Sequence, residues 1–82
     1  MKISFLGDSI TFGYALENKS KKYSTLVCNE FLAEEENFGI TGTLMARSGL
    51  NMYDDKAFLD RLNLLEGAEI AVIFGGTNDY FW

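Results

Sequence analysis

The sequence contains no histidine among its 82 residues and only one cysteine. A serine hydroxyl is a poor nucleophile until a base takes its proton, and histidine is the usual base. The chain therefore cannot form a Ser-His pair, even in a complex of identical copies. The single cysteine, Cys28, excludes an intrachain disulfide and a metal site built on paired thiolates. We expect Cys28 to be buried as a small apolar residue.

Positive charge is also scarce. Seven Lys and Arg residues face 12 Asp and Glu residues, which gives a net charge of −5. The only local cluster is Lys19 to Lys22, so the dense positive charge that nucleic-acid binding needs is missing. No apolar run approaches the length of a membrane span, and the N-terminal run is too short for a signal peptide. We expect a cytoplasmic protein that does not bind nucleic acid.

The residues that are present predict one small packed domain, since 48% of them are hydrophobic and 15% are aromatic. A β-compatible run from Lys2 to Leu6 ends at Gly7 and predicts a strand, followed by a loop through Phe12, Gly13 and Tyr14. Three-and-four spacing then predicts an amphipathic helix that ends near Ala33. Its apolar stripe comprises Tyr23, Leu26, Val27, Phe31 and Leu32. The acidic run Glu34-Glu35-Glu36 is interpreted as its exposed end.

The second half of the sequence repeats this order. Residues 37–40 predict a short strand, Thr41-Gly42-Thr43 a turn, and Met45 to Tyr53 a surface connection. A second helix is expected with Asp54 or Asp55 as its N-cap and Gly67 as its stop. Its predicted apolar face comprises Phe58, Leu59, Leu62 and Leu65. The continuous apolar run from Glu69 to Phe74 predicts a strand that is covered on both faces.

Strands that alternate with helices predict an open α/β sheet with parallel strands and right-handed connections. The carboxyl ends of such strands lie at one edge, where these sheets bind ligands. This edge would carry Gly7-Asp8-Ser9, Thr41-Gly42-Thr43 and Gly76-Thr77-Asn78-Asp79. Taken singly, each segment is explained as well by a turn or a cap. Together they place a serine hydroxyl, a glycine N–H and an asparagine amide in one location, as a nucleophile and an oxyanion site require.

These segments resemble the conserved blocks of the SGNH hydrolases, also called GDSL-type esterases and lipases. Gly7-Asp8-Ser9-Ile10-Thr11 is similar to the first block, residues 37–43 with Gly42 to the second, and Gly76-Thr77-Asn78-Asp79 to the third. Gly39 is an alternative to Gly42 in the second block. The resemblance implies that residues 1–82 are the N-terminal portion of one such domain, because nothing matches the family's last block, D-x-x-H.

The resemblance also implies a three-layer flavodoxin-like fold, here with about three strands and two helices. It implies hydrolysis of a small-molecule ester through an acyl-serine, without cofactor or metal. Ser9 would be the nucleophile and would donate its N–H to the oxyanion, together with the N–H of Gly42 and the side chain of Asn78. Asp8 and Asp79 would support the loops.

We predict no substantial esterase turnover from this chain alone, because the catalytic histidine is missing. A carboxylate such as Asp54 or Asp79 is the alternative base. Two other functions stay open: a non-catalytic module whose glycine turns bind a small anion through backbone N–H groups, and an oligomerising module without a ligand. Self-association is expected through the apolar third strand or through Tyr80-Phe81-Trp82.

Overall fold

The computed structural model describes residues 1–45, 56–76 and 78–79. Several predicted features lie outside these residues. They are the connection from residue 46 to Tyr53, the N-cap at Asp54 or Asp55, Thr77, and the Tyr80-Phe81-Trp82 segment.

A parallel sheet of three strands forms the centre of the described structure. Strand β1 spans Lys2–Gly7, β2 spans Glu34–Gly39 and β3 spans Ile70–Phe74, and their order in the sheet is β2-β1-β3. Gly7 at the end of β1 is paired with Gly39 on one side and with Phe74 on the other. The predicted α/β architecture with a flavodoxin-like parallel sheet is therefore confirmed.

A short helix, α1, spans Ser9–Phe12 directly after β1. Gly13 ends it in the left-handed region at φ 87°, which favours glycine. The sequence predicted a loop at Phe12, and that prediction was wrong because Asp8 caps a helical turn there. A 3₁₀ turn at Lys19–Lys21 then leads into the nine-residue helix α2, Tyr23–Phe31.

Helix α2 covers one face of the sheet. Ile3, Phe5 and Cys28 form the buried cluster there, and it is bordered by Tyr23, Val27, Ala33 and Val72. The predicted burial of Cys28 is confirmed, since 3% of it is exposed.

The predicted stripe of α2 was partly wrong. Leu26, Phe31 and Leu32 are 54%, 63% and 91% exposed. The inward face instead includes the fully buried Ser24, whose hydroxyl donates a hydrogen bond to Glu35. The helix therefore packs partly through polar contacts, which an apolar pattern does not reveal.

The acidic run is part of strand β2 and not the end of a helix. Glu35 accepts hydrogen bonds from Ser24 and Thr25 of α2. Glu36 accepts one from Ser4 of β1 at 2.6 Å. Because hydroxyl donors satisfy these carboxylates, adjacent glutamates are tolerated in the strand.

The predicted second helix is a 3₁₀ helix at Phe58–Leu65 and begins after Ala57. Side chains three residues apart share one face of a 3₁₀ helix, so Phe58 and Arg61 are buried together. Leu59 and Leu62, predicted from a 3.6-residue period, are 64% and 44% exposed. The apolar face was therefore predicted with the wrong period.

Strand β3 is not covered on both faces by the described residues, contrary to the sequence prediction. Ile70, Ile73 and Phe74 are each about half exposed, at 45%, 50% and 49%. Val72 alone of this strand borders the core cluster. The expected apolar edge at β3 is present.

Candidate functional site

Ser9 is the first residue of α1 and follows β1 at the carboxyl edge of the sheet. It is half-buried, and no residue in the described part of the chain is hydrogen-bonded to its hydroxyl. Its N–H belongs to the first turn of a helix, where backbone N–H groups have no acceptor within the helix. Both groups that a nucleophile with an oxyanion donor needs are therefore available at one residue.

Asp8 holds the turn that presents Ser9. Its carboxylate accepts a hydrogen bond from the N–H of Ile10 at 3.1 Å, and the residue is 1% exposed. An aspartate at this position is a strong N-cap. Asp8 thus fixes the backbone on both sides of Ser9.

Gly42 lies in the turn after β2. The N–H of Thr43 donates to the carbonyl oxygen of Ile40, which closes a four-residue turn, and Gly42 is the third residue of that turn with φ 81°. A positive φ at the third position favours glycine, so the turn alone explains Gly42. Its position beside β1 comes from the adjacent contact between the Ile40 N–H and the Gly7 carbonyl oxygen at 3.1 Å.

Thr43 connects the turn after β2 to the end of β1 and to the segment that follows β3. Its hydroxyl lies 3.5 Å from the carbonyl oxygen of Gly7 and donates to that of Ile40 at 2.7 Å. Its own carbonyl oxygen accepts a hydrogen bond from the side-chain amide of Asn78 at 3.0 Å. The structure therefore brings the segments of Ser9, Gly42 and Asn78 together through one buried residue.

Asp79 makes a second connection between the segment after β3 and this turn. Both of its carboxylate oxygens face the N–H of Met45, at 2.9 and 3.1 Å. Asn78 and Asp79 together hold the chain from Thr43 to Met45. The sequence predicted that Asp79 supports the site loops, and this role stays a prediction.

Arg61 was missed by the sequence reasoning. It is 7% exposed, and its guanidinium donates to the carbonyl oxygens of Lys56 and Phe38 and to the hydroxyl of Thr43 at 3.0 Å. A further hydrogen bond reaches the carbonyl oxygen of Gly7 at 3.3 Å. Burial lowers the pKa of Arg61 from its ordinary value, yet arginine stays charged in proteins. A positive charge therefore lies beneath the carboxyl edge of the sheet.

Polar contacts also hold α1 against α2 and β2. The hydroxyls of Thr11 and Tyr23 are 2.8 Å apart, and the Asn37 amide donates to the carbonyl oxygen of Thr11 at 2.7 Å. Burial is the main cause that raises the pKa of Tyr23, and the nearby Asp8 adds to it. Tyr23 is therefore neutral near pH 7 and serves as a hydrogen-bonding partner of α1.

Two further observations concern all of the described residues. No group of three acidic or cysteine side chains in residues 1–45, 56–76 and 78–79 is arranged to hold a metal ion. In the same residues, no helix has the length and apolar composition needed to cross a membrane.

The described residues form a flavodoxin-like α/β fold with polar residues at the carboxyl edge of its sheet. No family model matches the chain, and no curated protein matches it. A chain in a solved crystal structure is similar over 96% of this chain, with 28% sequence identity and a TM-score of 0.75. This chain spans 37% of the length of that one. The similarity supports the fold described above.

Proposed function

We propose that this chain carries the nucleophile and the oxyanion donors of a serine acyl-ester hydrolase of the SGNH type. Ser9 is the nucleophile, and its N–H, the N–H of Gly42 and the side chain of Asn78 stabilise the oxyanion. The observation that carries the proposal is the buried contact set of Thr43, which joins the three segments at one sheet edge. A proton acceptor from outside this sequence activates Ser9, because the sequence has no histidine.

The chemistry follows from the positions of these groups. The Ser9 oxygen attacks the ester carbonyl while the base takes its proton, and the carbonyl oxygen becomes negative. The oxyanion donors stabilise that charge, and the base then gives its proton to the ester's alkoxy oxygen as the C–O bond breaks. The alcohol leaves an acyl-serine, which water hydrolyses to the acid and free Ser9. Asn78 has two amide hydrogens, and the carbonyl oxygen of Thr43 accepts one of them. The other can serve the oxyanion.

Labelling with a fluorophosphonate probe tests this proposal, with the modified residue identified by mass spectrometry. The chain alone should label slowly, and added imidazole should accelerate modification of Ser9 because it can act as the missing base. Ser9→Ala is the control for other nucleophiles. Rapid labelling without imidazole would contradict the prediction that this chain lacks a base for Ser9. If Ser9 is not labelled even with imidazole, the proposal that it is the nucleophile is wrong.

The role of Asn78 is tested in the same assay. Asn78→Ala should lower the imidazole-dependent rate by about a hundredfold, the usual effect of losing one oxyanion donor. Thermal unfolding of the variant must be followed in parallel, because Asn78 also holds the carbonyl oxygen of Thr43. A folded variant that labels at the parent rate would exclude Asn78 as a donor.

We also propose that the chain associates through β3. Half-exposed apolar side chains on a strand at the sheet edge, Ile70, Ile73 and Phe74, support this proposal.

The cytoplasm is the compartment we propose, since the fold buries its one thiol, Cys28, and uses no disulfide. Fractionation of cells that express the protein tests the compartment.

A further inference from the structure

A cavity of about 320 Å³ lies beside helix α1, and none of the residues that line it is hydrogen-bonded to Thr43. It is lined by Phe12, Lys19, Lys22, Asn37 and Gly39. Its volume is at the lower end of the range for small-molecule pockets. Glycine at position 39 contributes no side chain, so the backbone of α1 approaches β2 closely there, and a Cβ at Gly39 would be 2.4 Å from the N atom of Phe12.

Two lysines, Lys19 and Lys22, line this cavity in a protein with a net charge of −5. The Nζ atom of Lys19 donates to the carbonyl oxygen of Gly13 at 2.6 Å and lies 5.4 Å from the centre of the Phe12 ring. These contacts hold the lysine against the end of α1. An ammonium has three donors, so Lys19 keeps hydrogens for a ligand.

The second ammonium is only loosely paired. The Nζ atom of Lys22 lies 3.9 Å from a carboxylate oxygen of Glu35, which is beyond hydrogen-bond distance. That carboxylate already accepts hydrogen bonds from the hydroxyls of Ser24 and Thr25. The Lys22 side chain is 18% exposed. An anion in the cavity could accept a direct hydrogen bond from this ammonium, which Glu35 does not.

The amide hydrogens of Asn37 are used within the protein, so the lysines are the side-chain donors of this cavity. Its amide nitrogen donates to the carbonyl oxygen of Thr11 at 2.7 Å and to the hydroxyl of Ser24 at 2.8 Å. Its oxygen accepts from the N–H of Gly39. The Asn37 side chain is therefore a fixed part of the cavity wall. A ligand would be recognised mainly by the positive charges of Lys19 and Lys22.

We propose that this cavity binds a small oxyanion of two negative charges, such as inorganic phosphate or the phosphate group of a phosphomonoester. Two separate ammonium groups suit a phosphate, which lysine binds as a point charge. A carboxylate carries one charge and should bind more weakly. The inference goes beyond the proposed function and stands whether or not Ser9 is a nucleophile.

Titration of the intact chain with inorganic phosphate at constant ionic strength tests the site, with backbone amide shifts as the readout. Saturable shifts are expected at Phe12, Gly13 and Gly39. Acetate at the same ionic strength should bind at least about tenfold more weakly, the ratio expected when one charged hydrogen bond is lost. Absence of saturation with phosphate, or equal affinity for acetate, would overturn the proposal.

Three variants distinguish phosphate binding in the cavity from general attraction of phosphate to positive charge. Lys19→Gln and Lys22→Gln should each weaken phosphate binding by about tenfold. Lys21→Gln removes the same charge from an exposed lysine of the same segment that does not line the cavity, and it should bind like the parent. An equal loss in all three variants, or shifts centred on Gly42 and Asn78, would overturn the proposal.

Discussion

The guanidinium of Arg61 donates a hydrogen bond to the hydroxyl of Thr43, with 3.0 Å between Nη2 and Oγ1. The same nitrogen lies 3.3 Å from the carbonyl oxygen of Gly7, two residues before Ser9. Another nitrogen of the group donates to the carbonyl oxygen of Phe38 near the end of β2. One buried side chain therefore joins the ends of β1 and β2 to the turn that contains Gly42.

Replacement of Arg61 by methionine should destabilise the fold by about 3 kcal/mol, because the buried acceptors that it serves would lose their donor. Urea unfolding followed by circular dichroism measures this change. Lys21→Met removes an exposed charge and should leave the unfolding midpoint unchanged. Arg61→Lys should recover only part of the loss, because an ammonium cannot reproduce the planar fork. A methionine variant as stable as the parent would contradict the role of Arg61.

Gly39→Ala should destabilise the contact between α1 and β2. The new Cβ would lie 2.4 Å from the N atom of Phe12 and 2.8 Å from the carbonyl carbon of Thr11. Both are backbone atoms and cannot turn away as a side chain would. The cost should be about 2 kcal/mol, typical of overpacking, and amide shifts should change along α1.

Gly67→Ala is the control for this variant. Gly67 has nothing within 4 Å of its Cβ position, but its φ of 82° makes alanine cost about 1 kcal/mol. Amide shifts of α1 should not change in it. If Gly39→Ala is no more destabilising than Gly67→Ala in urea unfolding, the close approach of α1 to β2 is refuted.

Glu35 should make stability depend on pH in the acidic range. Burial opposes ionisation, but hydrogen bonds from Ser24 and Thr25 and the charge of Lys22 outweigh it and lower the pKa of Glu35. A carboxylate with a lowered pKa stabilises the fold above its unfolded pKa of about 4.3 and loses that effect as pH falls through the folded pKa. The free energy of unfolding should therefore decrease below about pH 5.

Urea unfolding at several pH values measures this effect against Glu35→Gln. The difference in stability between the parent and this variant should be constant above about pH 5 and should narrow below it. Glu30→Gln removes an exposed carboxylate from α2 and is the matched control. A gap between the parent and Glu35→Gln that stays the same down to pH values well below the carboxyl range would disprove the prediction.

The parallel sheet was predictable from sequence because its determinants are local. Lys2–Gly7 is a β-compatible segment that ends at glycine, and Ile70–Phe74 is an apolar run that glycine follows. The chain segments between successive strands are long enough for parallel crossovers. The positions of Ser9, Gly42 and Asn78 at one edge followed from that topology. Their roles in catalysis stay predictions, since the geometry of Gly42 is also that of an ordinary turn.

The polar interior could not be predicted in the same way. Glu35 belongs to a strand because the hydroxyls of Ser24 and Thr25, 11 and 10 residues earlier, satisfy its charge. Arg61 is buried because a 3₁₀ helix aligns it with Phe58 and because its acceptors are backbone carbonyls of distant segments. Neither pairing leaves a periodic signal in the sequence. Tertiary contacts decided both.

Ile73→Lys should reduce the self-association proposed for β3. Ile73 is 50% exposed on a strand that ends the described sheet, and a lysine there adds charge that discourages pairing between chains. Sedimentation velocity over a wide range of protein concentration should show association in the parent and a monomer in the variant. Leu32→Lys is the control, because it makes the same change at a site that is 91% exposed after α2. If the parent is monomeric throughout, or if the control dissociates as well, β3 is not the contact surface.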